Sequence, residues 1–207
     1  MTSEKNETKA QILRQARLLF AQHGFAGTSV RKIAEQSKVN LAAISYHFGS
    51  KEGLYWSVIL EAMAWMDESI KSVVEKSSDV EDLTEKLFTY LRENSEYVTS
   101  TMKTFLSDLV PPPDSEHPYI QKMEGPEMGP PGGEHIESFI EKNYPGTPKE
   151  ASKWFVHCLF GNIIHMTTVT CSSHYENVKK QHIPLEMIEK NMKIMATALI
   201  NHTKNWK

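Results

Sequence analysis

The sequence predicts an all-α protein, a small three-helix head on a longer helical body, with about nine helices in all. Three observations carry this. Apolar residues recur at spacings of three and four along most of the 207-residue chain, and period-two runs of β-branched residues are missing. Glycines, prolines and small polar residues fall between the apolar stripes, where helix ends need them. Charge is divided: residues 1–55 hold eight Lys/Arg against four acids, net +4, while the rest of the chain nets −7.

The first helix is expected from about Thr8 to His23, with Ile12, Leu13, Ala16, Leu19 and Phe20 as its apolar stripe. Gly24 suits its carboxyl end, and Phe25 is placed to fold back on the last turn. Thr28 is expected to cap a short helix from Ser29 to Gln36, and Asn40 a third ending near Phe48. Gly49 breaks that helix. Ser50 caps a long fourth one, which holds Glu52 in its first turn and runs to about Lys76. Asp79 opens the fifth, whose stripe is Val80, Leu83, Leu87, Leu91 and Val98, and a sixth spans Thr101 to Leu109. Seven prolines and four glycines from Val110 through Gly133 predict a long irregular loop. Helices then follow at 133–143, from Pro148 to about Ser173, and from Pro184 to about Lys204.

Composition narrows the class. Hydrophobic residues at 40% and charged residues at 24% are ordinary for a globular chain. Met1 to Lys9 is polar and charged, which is no signal-peptide core. Cys158 and Cys171 share one apolar segment, an arrangement suited to a reducing cytoplasm. Trp154 to Cys171 approaches the length of a membrane span, but His157, Asn162, His165 and three threonines make a buried helix the better reading. No membrane association is expected.

Residues 28–48 contain two short helices of about eight and nine residues joined by a tight turn, with the first helix to brace them. Such a helix-turn-helix needs a rigid mini-core, for which Val30, Ile33, Ala34, Val39, Ile44 and Phe48 are available. Leu41, Ala42, Ser45 and Tyr46 are then left facing outward. In this arrangement the second short helix enters the major groove of double-stranded DNA, and a basic head on an acidic body suits phosphate binding at one end.

The runs T-S-V-R-K-I-A at 28–34 and A-A-I-S-Y-H-F-G-S-K-E-G-L-Y at 42–55, with Gly24-Phe25 upstream, resemble the TetR family of transcriptional regulators. The resemblance covers about Lys9 to Val58; beyond it the likeness is one of layout. It implies a DNA-binding domain over 1–50 and a ligand-binding and dimerisation domain over 51–207. By position it implies that Thr28, Tyr46, His47 and Lys51 contact phosphates. Asn40, Leu41, Ala42, Ala43 and Ser45 match positions facing bases or sugars, and Ser29, at the helix start, is a further DNA-binding candidate. Because the third helix has no Arg, apolar contact of Leu41 or Ala42 with thymine methyls and DNA shape must supply part of the specificity.

The helix near 148–173 is apolar nearly all round, and that near 184–204 carries two stripes, one through Leu185, Ile188, Met192, Met195 and Leu199, the other through Met187, Ile194 and Ala198. More apolar surface than one subunit covers predicts a homodimer through these helices, and hence a palindromic operator. Candidate pocket residues for a small-molecule inducer are Met63, Met66, Phe88, Leu91, Met102, Phe105, Trp154, Asn162 and His165. His157, Cys158, His165, Cys171 and His174 form no i, i+4 His/Cys pair, so no metal site is expected; nor is a cofactor or a catalytic motif. The expected function is a cytoplasmic repressor released from its operator by a small apolar or amphipathic ligand. The resemblance implies that the ligand shifts the fourth helix and alters the spacing of the two reading heads. The alternative keeps the DNA-binding head and makes the body a protein-interaction module without a ligand.

Overall fold

The computed structural model describes residues 2–107, 110, 129–178 and 184–203. Among them the secondary structure is helical, as expected: α1 Thr2–Gly27, α2 Val30–Gln36, α3 Leu41–Phe48, α4 Lys51–Val74, α5 Val80–Glu93, α6 Ser95–Ser107, α7 Gly133–Asn143, α8 Lys149–Thr170, α9 Ser173–Val178 and α10 Leu185–Thr203. The nine expected segments are all present, and the six-residue α9 is additional. Of the proline-rich loop expected over 110–133, residues 111–128 lie outside the described residues, as does the sixth helix's expected end at Leu109.

Two compact units form, the first from described residues within 1–63 and 99–128, the second from those within 64–98 and 129–207. In the first, Ile12, Ala16 and Phe20 of α1 pack with Ile33 of α2, Ile44 and Phe48 of α3, and Leu54, Tyr55 and Val58 of α4. All of these are buried, and Val30 and Val39 add partly buried surface. Phe25 folds back as expected. Its ring stacks on Phe20 at 5.9 Å and meets Tyr55 edge-on at 5.5 Å, with Phe20 and Tyr55 themselves 5.5 Å apart. Polar ties reinforce the unit: the Tyr55 hydroxyl donates to the Thr104 carbonyl at 3.1 Å, and the buried Arg17 guanidinium donates to the Ser100 hydroxyl.

Three expected boundaries are corrected. The first helix starts at Thr2 and not near Thr8, and no proline or glycine interrupts residues 2–8. Gly24, at φ 70° and ψ 173°, interrupts it, yet helix resumes to Gly27. The cap of α2 is Ser29, whose hydroxyl accepts from the Lys32 amide at 3.2 Å, and not Thr28. The fifth and sixth helices part at Asn94, several residues earlier than expected. Both the backbone amide and the side-chain amide of Asn94 donate to the Tyr90 carbonyl, which ends the helix locally.

In the second unit α5 packs on α8 and α10, and α7 packs on α8. Leu83, Leu87, Phe88 and Leu91 of α5, Ile136 and Ile140 of α7, Phe155, Leu159 and Ile163 of α8, and Met192 and Ile200 of α10 are buried there. Asp79 caps α5 as expected, its carboxylate accepting from the Glu81 and Asp82 amides at 2.9 Å. Ties across the unit join the Tyr144 hydroxyl to the Val80 amide at 3.0 Å and Lys193 to Glu85 at 2.6 Å.

Candidate nucleic-acid interface

The site is built from the start of α1, the short α2 and α3, and the first turn of α4. Asn40 starts α3 by accepting the Ala43 amide at 2.8 Å on Oδ1. With Ile44 and Phe48 buried, the eight-residue helix has one orientation available: Leu41, Ala42, Ser45 and Tyr46 are exposed, the four positions expected to face outward. Tyr46 is 68% exposed and Leu41 44%, high values for large apolar-bodied side chains on a packed helix. Ala43 and His47 are half-buried, and the His47 ring meets Tyr46 at 5.2 Å.

The same unit carries further cations. Lys51 begins α4 with its ammonium 4.3 Å from the Phe25 ring centroid, a cation–π contact that restricts where the charge can go. Ser50 accepts the Gly53 amide at 3.1 Å and so caps α4. The Glu52 carboxyl is held below the usual carboxylate range, first by the helix-start amide of its own residue, then by the Ser50 hydroxyl and the charge of Lys51. On α2, Arg31 and Lys32 are exposed, and the Lys32 ammonium lies 2.9 Å from His23 Nε2.

Two residues sit differently from what the sequence suggested. Thr28 is buried, and its hydroxyl donates to the Leu19 carbonyl at 3.1 Å and the Gly24 carbonyl at 2.7 Å. What the start of α2 offers is an exposed Ser29 and first-turn backbone amides. Lys5 was not singled out by sequence reasoning. Its ammonium donates to the Tyr46 hydroxyl at 2.5 Å and sits 4.8 Å from that ring's centroid. The one signal for it was its place among the eight basic residues of the head.

Residues 12–58 match the family described as bacterial regulatory proteins, tetR family. The head of the chain is therefore similar to that family's. A probable HTH-type transcriptional regulator, YttP, of Bacillus subtilis (strain 168) is 49% identical over 57 residues, 28% of each chain. The HTH-type transcriptional repressor AcnR of Corynebacterium efficiens is 38% identical over 63 residues, 30% of this chain and 34% of that one. The chain thus aligns with about a third or less of the length of these curated relatives. A crystal structure of a TetR family transcription regulator from Marinobacter aquaeolei VT8 shares the fold, with a TM-score of 0.68 at 17% identity over 96% of this chain and 98% of that one.

The matched segment holds the mini-core, the outward face of α3 and Lys51, while Lys5 lies just before it. The nine candidate pocket residues divide between the units. Met63, Met102 and Phe105 belong to the first, and Met66, Phe88, Leu91, Trp154, Asn162 and His165 to the second. Phe88 and Leu91 are fully buried; Met63, Met66, Met102 and Asn162 are half-buried; Phe105, Trp154 and His165 are exposed. A groove of about 360 Å³ in the second unit is lined by other residues, among them Lys71, His135, Ser138, Phe139 and Lys142. The Asn162 Oδ1 atom is buried with no hydrogen-bond partner among the described residues.

Proposed function

We propose that this chain is a sequence-specific DNA-binding transcription regulator that acts in the cytoplasm as a homodimer on a palindromic operator. The observation that carries the reading is the outward face of α3, Leu41, Ala42, Ser45 and Tyr46, held by a buried mini-core, with Lys5 bonded to Tyr46 and Lys51 at the start of α4. An eight-residue helix is about 12 Å long and fits the width of the major groove. Ser45 reads a base edge, Leu41 and Ala42 meet thymine methyls, and Asn40, Ala43 and His47 border the same contact. Tyr46, Lys51 and the Ser29 end of α2, next to Thr28, hold the phosphates. Residues 1–50 serve as the DNA-binding domain and 51–207 as the ligand-binding and dimerisation domain.

Exposed apolar side chains support dimerisation. On α8, Trp154 is 57% exposed and Val169 39%, and on α10 Met187 is 52% and Ile194 55%. Two such faces on adjoining helices suit a four-helix interface with a second copy. Two reading helices related by that symmetry meet half-sites about 34–36 Å apart or multiples of it. Release from the operator by a small apolar or amphipathic ligand makes the chain a repressor. The buried, unpartnered oxygen of Asn162 on α8 supports a ligand in the second unit. The second reading makes the body a protein-interaction module, and the exposed Phe105 and Leu106 on α6 favour it.

Selection of bound DNA from a random pool, with the Tyr46→Ala/Lys51→Ala double variant as control, tests the reading. A palindrome enriched by the wild type and lost in the variant supports it. A folded dimer that enriches nothing at low salt overturns it.

A further inference from the structure

Where α4 passes the start of α7, the second unit gathers three metal-ligating side chains. Asp67, Glu134 and His135 each place one ligand atom within 4.8 Å of the other two. Two glycines permit the approach. Gly132 adopts φ +77°, and a Cβ there would stand 2.9 Å from the Ile70 Cβ and 3.2 Å from the Asp67 Cα. A Cβ on Gly133 would crowd Val156 of α8 at 3.2 Å. Backbone therefore presses against α4 at Asp67, and the next two residues of α7 are delivered to that carboxylate.

The geometry at His135 is unusual. Its Nε2 lies 3.6 Å from Asp67 Oδ1, too far for a hydrogen bond, and this nitrogen is buried with no hydrogen-bond partner. A glutamate in a helix's first turn is ordinary, since the helix dipole favours it there. The dipole does not explain a buried imidazole nitrogen that stands at ion-pair distance from a carboxylate without a hydrogen bond. Two ligand atoms about 2.1 Å from one tetrahedral ion stand about 3.4 Å apart. The observed separation is close to that of two groups sharing an ion.

We propose that Asp67, Glu134 and His135 bind one first-row divalent cation, zinc fitting the set best, with a fourth position open to water. One imidazole and two carboxylates lack the thiolates that select copper(I), and the imidazole disfavours magnesium and calcium. Two carboxylates also neutralise the ion's charge. Bound there, the ion cross-links α4 to α7. The site is distinct from the His157, Cys158 and His165 stripe on α8, which forms no such group among the described residues. Sequence spacing could not show it, because Asp67 lies 67 positions before Glu134. The proposal does not rest on the DNA-binding reading.

The full chain, stripped with chelator and dialysed, is titrated with zinc chloride by calorimetry, and cobalt(II) is added in parallel to read ligand geometry by absorption. About one zinc ion per chain is expected, with a tetrahedral cobalt spectrum and a higher melting temperature in zinc. Asp67→Asn and His135→Gln each weaken binding at least about tenfold and abolish the melting shift, whereas His157→Gln changes neither. Circular dichroism checks each fold, and Glu134→Gln, at an exposed position, stands in should the other two misfold. No uptake near one equivalent, uptake retained in Glu134→Gln and His135→Gln, or uptake lost in His157→Gln would overturn the proposal.

Discussion

The Lys5 ammonium donates to the Tyr46 hydroxyl at 2.5 Å, joining the start of α1 to the outward face of α3. On the proposed reading this pair adds a cation to a phosphate contact. Lys5→Ala should weaken operator binding several-fold at moderate salt and lower the slope of log K against log salt by about one. Because the contact is to backbone, base preference should not change. Fluorescence anisotropy at several salt concentrations reads both; an unchanged slope counts against the role.

Phe20 is fully buried and meets both Phe25 and Tyr55. Phe20→Ala should cost about 3–5 kcal/mol, since it deletes a ring that two aromatic neighbours cannot collapse to replace. Urea unfolding followed by tryptophan fluorescence measures it, Trp56 being buried in the same core.

Asp79 holds the first turn of α5 through two backbone amides. Asp79→Ala should cost about 1 kcal/mol, and Asp79→Asn or Asp79→Ser much less, because either retains an acceptor at the cap. Equal losses in all three would show that the cap itself is not the cause.

At Gly132 conformation and space act together. Gly132→Ala forces a side chain into a left-handed backbone and against the Ile70 Cβ at 2.9 Å. A loss exceeding about 1 kcal/mol is expected by chemical denaturation, with Gly146→Ala milder, since its φ of +89° is equally strained but its surroundings are open.

Asp82 and Glu61 should respond to pH with opposite signs. The Asp82 carboxyl is held below its ordinary value by the Lys86 ammonium and then the Ser78 amide. Its stabilisation is present above the unfolded value and disappears as pH falls through the folded one. Being exposed, the pair contributes little, so Asp82→Asn should cost a small amount at neutral pH and nothing in acid. Burial raises Glu61, with Arg17 and Lys9 opposing. Its contribution is fully present below the unfolded value and is lost as pH rises through the folded one. Glu61→Gln should therefore be more stabilising, or less destabilising, at pH 7 than at pH 4. Thermal melts across that range read both signs.

Where a feature depended on neighbours in sequence, reading the chain sufficed. Asn40, Ser50 and Asp79 cap the helices expected of them, and Ile33, Ala34, Ile44 and Phe48 fill the mini-core. The outward set on α3 follows from the same periodicity. Caps act within one turn, and a buried stripe of period 3.6 leaves a known face exposed. The cap expected at Thr28 and the later helix boundary expected where Asn94 stands show the limit of that approach. Each side chain had a choice of partners, and which carbonyls it met was not a matter of periodicity.

By itself, then, the sequence determined the helical class, the head with its helix-turn-helix and the head's likeness to a known family. Each is encoded in residues within a few turns of one another. Tertiary structure alone decided that Thr28 is buried, that Lys5 reaches Tyr46, that Asn162 is left with an unpartnered oxygen, and that Asp67 meets Glu134 and His135. The pairs Lys5–Tyr46 and Asp67–His135 join residues 41 and 68 positions apart. They exist because helices cross where backbones can approach, and at Gly132 the missing Cβ is what admits the crossing.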